Sequence, residues 1–185
     1  NAVAQKYGDQ RFRVGDTFTG QIIDAVTGKL VMKTYNKVEK IESGLVYLNN
    51  KSKDGSYAIR TLDGGLVRVG GARGMFFYDP PRLDMPGDIL EVGKRWISRY
   101  TVTSEATKEV FIEEVSIAIV AYEEVEVPLG RFWSYRIEVT RPSFKRTLWA
   151  QPGWGIELKS VTERFKAQTK EVFELVSRFR GAEAL

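Results

Sequence analysis

Glu124-Val-Glu-Val-Pro-Leu-Gly-Arg-Phe-Trp-Ser-Tyr-Arg-Ile-Glu-Val139 reads as strand, tight turn, strand. Val125 and Val127 share one face of an extended chain. Pro128 has no N–H to give to a ladder and ends the first strand. Gly130 supplies the backbone freedom for the reversal. Phe132 then leads into a strand on which Trp133, Tyr135, Ile137 and Val139 fall on one face, since successive side chains of a strand alternate. A second element of the same kind follows at Leu148-Trp-Ala-Gln-Pro-Gly-Trp-Gly-Ile-Glu-Leu-Lys159, where Pro152-Gly153 and Gly155 bracket Trp154.

Outward from these hairpins, the chain keeps the all-β pattern of short alternating runs separated by turn residues. Upstream, the expected strands are Thr17–Ala25, Lys29–Glu42, Gly44–Asn50, Ser56–Leu62 and Leu66–Val69. Thr27-Gly28, Asp54-Gly55 and Asp63-Gly64-Gly65 mark turns between them. Downstream, they are Lys94–Ser104, Val110–Val127, Arg131–Thr140, Lys145–Ala150, Gly155–Phe165 and Glu171–Phe179. Val110–Val127 is long enough to bend or bulge, and Glu123 marks the expected place. Charge pairing in 162–180 also suits a helix. Val172, Phe173, Leu175, Val176 and Phe179 suit a last strand, and strand is the reading preferred.

Tyr78-Asp-Pro-Pro-Arg-Leu-Asp-Met-Pro-Gly-Asp88 carries three prolines, each of which removes a ladder donor. It reads as a connection outside the sheet. The organisation predicted is one domain over 1–185, with a first half at about 11–78, a Pro-rich connection at 79–91 and a second half at about 92–180. Val14-Gly-Asp-Thr-Phe18 and Val92-Gly-Lys-Arg-Trp96 open the halves alike. The fold class predicted is mainly β: a strongly curved antiparallel sheet, or an open, incomplete barrel, built from two similar halves.

At 185 residues the chain is long enough for a core without staples. It contains no Cys, so disulfides, thiolate metal sites and a Cys nucleophile are excluded. It contains no His, which removes the usual general base and the commonest metal ligand. The net charge is +4, but the basic residues are scattered rather than clustered as nucleic-acid binding requires. Arg131, Arg136, Arg141, Lys145 and Arg146 come nearest to a cluster and read as a solvated face rather than an anion site. No apolar run reaches the ~20 residues of a membrane helix. Asn1-Ala-Val-Ala-Gln5 reads as a possible start of a mature exported chain.

The segment Glu124–Val139 resembles the E-x-V-x-V-P-x-G-x-F-x-x-Y-R-I-E-V hairpin of a group of bacterial periplasmic and envelope proteins known mainly as domains of unknown function. Trp149-Ala-Gln-Pro-Gly-Trp-Gly155 is similar to the P-G-x-G turn of that group, with Gln151 inserted before the proline. Val92-Gly-Lys-Arg-Trp96 matches its V-G-x-x-W element. The resemblance covers about half the chain well. It implies a curved antiparallel sheet or incomplete barrel in the periplasm or envelope, and brings no set of catalytic residues with it.

Candidate sites are read from the residues. Trp96, Tyr100, Trp133, Trp149 and Trp154 are the ligand-binding candidates, as an aromatic face for a hydrophobic or amphiphilic ligand, lipid-like or a glycan. Core packing is the preferred reading of each residue taken singly, because aromatic cross-strand pairs stabilise sheets by roughly 0.2–1 kcal/mol each. Trp154, on a turn between glycines, is predicted to be the most exposed. Glu124 and Glu126 would lie ~6–7 Å apart on one face, within the range a glycosidase pair needs, but that spacing is generic to a strand and a solvated outer face is the reading preferred. Asp79, Asp84 and Asp88 could offer oxygen ligands to Ca²⁺, and ordinary turn chemistry accounts for them. Gly70-Gly71-Ala-Arg-Gly74 lacks the Lys-Ser/Thr of a phosphate loop and reads as a hairpin tip. The expectation is a non-enzymatic exported binding protein with no cofactor and no metal. The alternatives are a scaffold acting through its edge strands and, less favoured, a carboxylate hydrolase.

Overall fold

The computed structural model describes residues 5–6, 12–50, 56–71, 74–85 and 89–181. Among them the strands are β1 (Gln5–Lys6), β2 (Thr17–Asp24), β3 (Leu30–Glu42), β4 (Leu45–Asn50), β5 (Tyr57–Thr61), β6 (Leu66–Gly71), β7 (Gly74–Arg82), β8 (Ile89–Leu90), β9 (Arg95–Ser104), β10 (Val110–Val127), β11 (Gly130–Arg141), β12 (Phe144–Ala150), β13 (Glu157–Arg164) and β14 (Thr169–Phe179). Among the described residues β1 pairs with β8 alone. The other twelve close into a barrel in which every strand is antiparallel to its neighbours in sequence.

The barrel closes because β14 pairs with β2, from Glu171 opposite Asp24 to Phe179 opposite Thr17. The mainly β, antiparallel, barrel-like architecture is as expected; closure corrects the expectation that the barrel is open and incomplete. Alternation along a strand specifies which face is buried but not which strand lies beside the last one. The C-terminal segment is strand, as preferred. The long β10 bulges between Ile119 and Ala121, a few residues before Glu123.

The expectation that Tyr78–Asp88 lies outside the sheet is corrected for Tyr78–Arg82 only; Leu83–Met85 lie in no strand, and Pro86–Asp88 fall outside the described residues. β7 runs through Asp79, Pro80 and Pro81 to Arg82. The prolines fall where the ladder is already broken. On one side the register with β6 jumps between Phe77 opposite Arg68 and Arg82 opposite Leu66, and on the other β9 pairing stops at Asp79. No donor is needed there, so none is missed. Asp54-Gly55 and Asp88 lie outside the described residues.

The barrel divides into six strands before and six after the β7–β9 connection. The paired openings are one turn used twice. Gly15 and Gly93 have φ of 87° and 99°. Gly15 N–H donates to Val38 O and Val38 N–H returns to Asp16 O, at 2.8 and 2.9 Å. Gly93 N–H donates to Ile119 O and Ile119 N–H returns to Lys94 O, at the same two distances. Each acceptor strand then bulges, at Val38/Lys40 in β3 and at Ile119/Ala121 in β10.

A barrel of eight strands is just filled by its own side chains, and diameter grows with strand number. Twelve strands need additional filling. Phe12, ahead of β2, and Met85 and Leu90, from the β7–β9 connection, supply part of it. One core cluster gathers Tyr100, Val102, Val115, Ile117, Ile119, Tyr135, Ile137, Val139, Leu148 and Ala150 around Met85 and Leu90. A second gathers Phe18, Val38, Val46, Leu48, Val125, Val127, Leu158 and Leu175 around Phe12. Part of the remaining interior is lined by charged and polar side chains beside apolar ones.

Candidate functional site

Strand alternation places charge inside the barrel. Arg141 has the parity of the buried Val139 and Ile137 in β11, and Arg146 that of the buried Leu148 and Ala150 in β12. Arg146 stands opposite Thr162, Thr162 opposite Glu171, Ser160 opposite Phe173, and Phe173 opposite Ile22. With Arg82, Phe144, Glu157 and Arg164, these residues line a half-open cavity of about 360 Å³. A second cavity of about 180 Å³ shares Glu157 and Phe173 in its wall. It is lined on its other sides by Phe12, Phe18, Leu48, Met85 and Arg60 among others.

The charges form one network. Arg82 Nη2 donates to Asp84 Oδ2 at 2.9 Å, and Arg146 Nη1 lies 3.8 Å from the same oxygen. Arg146 Nη2 also pairs with Glu157 and reaches Ser160 Oγ at 3.4 Å. Arg141 pairs with Glu113, which accepts the Tyr100 hydroxyl at 2.9 Å. Arg60 donates to the Gly64 carbonyl at 2.8 Å. Among the described residues of this set, four guanidinium groups face three carboxylates, an excess of one positive charge. The Nε–H groups of Arg82, Arg141 and Arg146 are buried and find no acceptor among the described residues.

Taking charge out of water costs several kcal/mol per ion unless partners compensate. Burial alone would push the Asp84 carboxyl up. Arg82, Arg146, Arg141 and Arg60 outweigh burial and hold it below the usual carboxylate range. Burial lowers Arg60, and its nearby charges do not cancel that effect. Burial, with Glu113 adding to it, raises the Tyr100 phenol, so it is a hydrogen-bond donor at neutral pH. The Asp84 shift has a definite sign for stability. A carboxyl depressed in the folded state contributes stability that is full above its unfolded pKa and lost as pH falls through the folded one. Asp84→Asn is therefore expected to be less stable than the parent at pH 7, with the gap closing below pH about 4. Denaturant melts of both proteins across that range measure it, and a gap that is constant with pH contradicts it.

The five aromatic candidates do not form one surface. Tyr100 is buried in the first core cluster, edge-on to Tyr78 at 5.7 Å, and Trp96 packs beside that cluster. Trp149 and Trp154 pack against the second. Trp149 Nε1–H donates to Glu123 at 2.9 Å. Trp154 meets Phe132 edge-on at 5.3 Å and carries Arg178 over its ring at 4.1 Å. Burial, with the nearby Arg180 charge, lowers Arg178 to about 10. The expectation that Trp154 is the most exposed is therefore corrected. The exposed one is Trp133, at 56%, which leaves the buried face of Tyr135, Ile137 and Val139 and leans on Tyr122 at 5.6 Å.

The reading of Arg131, Arg136, Arg141, Lys145 and Arg146 as a solvated face is corrected for two of the five. Arg141 and Arg146 point inward, while Arg131 is exposed beside Glu124 and Glu126, at 3.9 and 3.4 Å. Glu124 and Glu126 are thus on the outer face. Arg60, Arg82 and Glu157 were not singled out, and Asp84 was read as turn chemistry. The available signal was parity: Arg141 and Arg146 share the faces of their apolar neighbours. Among the described residues no group of acidic side chains is arranged to hold a metal, and no helix is long and apolar enough to cross a membrane.

No family model matches the chain, and no curated protein matches it in sequence. Solved structures match it in fold. One is a Bacteroides fragilis NCTC 9343 protein described as exported and as having a YmcC-like fold. It has 15% identity and a TM-score of 0.54, over 95% of this chain and 100% of that one. The hypothetical lipoprotein YmcC from Escherichia coli (K12) has 14% identity and a TM-score of 0.48, over 92% and 86%. A protein from Parabacteroides distasonis ATCC 8503 described as a lipoprotein has 12% and 0.47, over 92% and 98%. The first of these places the chain with proteins of YmcC-like fold in architecture.

Proposed function

We propose that this barrel is a non-enzymatic binding protein of the bacterial envelope whose interior holds an amphiphilic ligand through an anionic group. The observation that carries the reading is the excess of guanidinium over carboxylate inside the barrel, beside the apolar walls of Ile22, Phe144 and Phe173. Guanidinium groups pair with carboxylate and phosphate in fork geometry. A site that joins such groups to apolar walls suits a ligand with one charged and one apolar part. The envelope location is supported by the hairpin resemblance and by the description of the Bacteroides fragilis protein as exported.

An acidic glycan and an anionic lipid share this chemistry. Titration calorimetry with dodecyl phosphate in one arm and an oligoglucuronate in the other separates them. Arg164, exposed at the wall and paired with Glu171 at 2.6 Å, tests the site with little effect on folding. Arg164→Gln is expected to weaken binding about tenfold, the equivalent of 1.4 kcal/mol. Heat from neither ligand, with the protein folded, would overturn the reading.

A further inference from the structure

The two cavities follow one another along the same strands. On β13 the first touches Arg164, Thr162, Ser160 and Glu157, and the second touches Glu157 and the two residues before it, Ile156 and Gly155. On β2 the first touches Ile22 and the second Phe18, nearer the strand's start. β14 runs the other way and gives Glu171 to the first and Phe173 to both. The order is the same on all three strands, so the cavities lie end to end and meet at Glu157 and Phe173. The first reaches the β11–β12 turn, through Arg141 and Phe144 on either side of it. The second lies toward the opposite end, where Phe12 precedes β2 and Gly155 precedes β13.

The lining changes in character along this path. Guanidinium groups of Arg82, Arg141, Arg146 and Arg164 stand in the wall of the first cavity. Phe12, Phe18, Leu48, Ala58, Met85 and Ile156 supply half of the second. Its charged residues, Glu157 and Arg60, belong to the network beside the first: Glu157 pairs with Arg146, and Arg60 lies within the field of Glu157, Arg82, Asp84 and Arg146. Inward from the β11–β12 turn, the wall therefore passes from cationic to apolar. Phe173 stands at the junction. Its ring rests against the bare backbone of Gly20, where a Cβ would overlap it. The missing side chain lets the ring sit back toward β2.

We infer, building on the reading of the interior as an anion site, that the two cavities are parts of one site and that its ligand is a single-chain anionic amphiphile. The anion stays at the guanidinium groups, and the apolar chain passes Phe173 into the second cavity. A dry apolar cavity of about 150 Å³ takes a benzene-sized guest, so one of about 180 Å³ takes a chain end of roughly six carbons. A sugar acid has no part that gains from contact with Phe12, Phe18 and Leu48. A two-chain lipid has one chain more than a single apolar cavity accepts. The site thus favours an alkyl phosphate or a fatty acid over an acidic glycan or a diacyl lipid.

Titration calorimetry of the full chain with butyl, hexyl and octyl phosphate, each below its micelle concentration, tests this inference. Affinity is expected to rise about threefold to fourfold per methylene, the gain for burying one. Ala58→Leu fills part of the second cavity and is expected to lower the octyl-to-butyl affinity ratio about tenfold. A smaller folded fraction would scale both affinities alike and leave that ratio unchanged. Equal affinity at every chain length overturns the inference and leaves the anion site standing. So does an Ala58→Leu ratio equal to the parent's. Heat from the oligoglucuronate but from no alkyl phosphate overturns the inference alone, whereas heat from neither class overturns the reading beneath it.

Discussion

Asp16→Ala is expected to destabilise the barrel by about 3–5 kcal/mol, the range for leaving one partner of a buried ionic site alone. Asp16 is fully buried in the turn that opens β2. Its Oδ2 accepts the Arg13 N–H and an Arg180 guanidinium N–H, both at 2.9 Å, and its Oδ1 accepts the Gly181 N–H at 2.7 Å. One carboxylate therefore ties the residues before the first barrel strand to those after the last, at the seam where β14 meets β2. Alanine leaves two backbone donors near the seam without that acceptor, at about 1–3 kcal/mol for a buried group. It also removes the counter-charge of Arg180. Arg180 is partly exposed, so water offsets part of its loss. Asp16→Asn keeps one acceptor oxygen and is expected to cost roughly half as much. Urea unfolding measures both, read as a lower midpoint at unchanged slope. A loss under ~1 kcal/mol for alanine, the scale of an ordinary surface change, would show that the seam does not depend on Asp16.

Arg146→Leu is expected to cost a similar ~3–5 kcal/mol, for a different reason. Arg146 lies between Asp84 and Glu157 and also reaches Ser160. Removing it leaves Glu157 unpaired in the cavity wall and strips Asp84 of one of the charges that keep it ionised. Glu157→Leu added to Arg146→Leu is expected to recover much of the loss, because a buried pair replaced by apolar groups is often neutral or better. A double-mutant cycle reads the coupling directly, and residues in one network couple by about 0.5–3 kcal/mol. Strictly additive losses would mean that the two side chains act independently.

The strands were legible because alternation is a local property. The hairpin at Pro128–Gly130 and the strand nature of Thr169–Phe179 follow from residues within a few positions of each other. Closure was not legible, since the pairing of Val172 with Ile23 joins residues about 150 apart and no local pattern encodes it. The β7 prolines misled because their tolerance depends on a register break set by Leu66 and Arg68 on another strand.

The candidate site was read through its aromatics, with core packing the preferred reading of each. Tyr100 is buried in the first core cluster, Trp96 is partly buried against it, and Trp149 and Trp154 are partly buried against the second, because large apolar side chains bury most area against other apolar groups. The charges were read as solvent-facing because Arg and Glu are almost never fully buried unless paired. Here they are paired with one another across strands: Arg141 with Glu113, and Arg146 with Glu157. The parity of Arg141 with Val139 was visible in the sequence. Its partners were not.

The central claim is that the barrel interior is an anion-accepting site. The most direct measurement is the arginine Nε–Hε region of a ¹⁵N-labelled protein titrated with dodecyl phosphate, with dodecyl maltoside as the uncharged control. The Arg82, Arg141 and Arg146 signals are expected to move with the phosphate and not with the maltoside, while exposed Arg131 stays in place. Movement confined to Arg131, or an equal response to both amphiphiles, would contradict it.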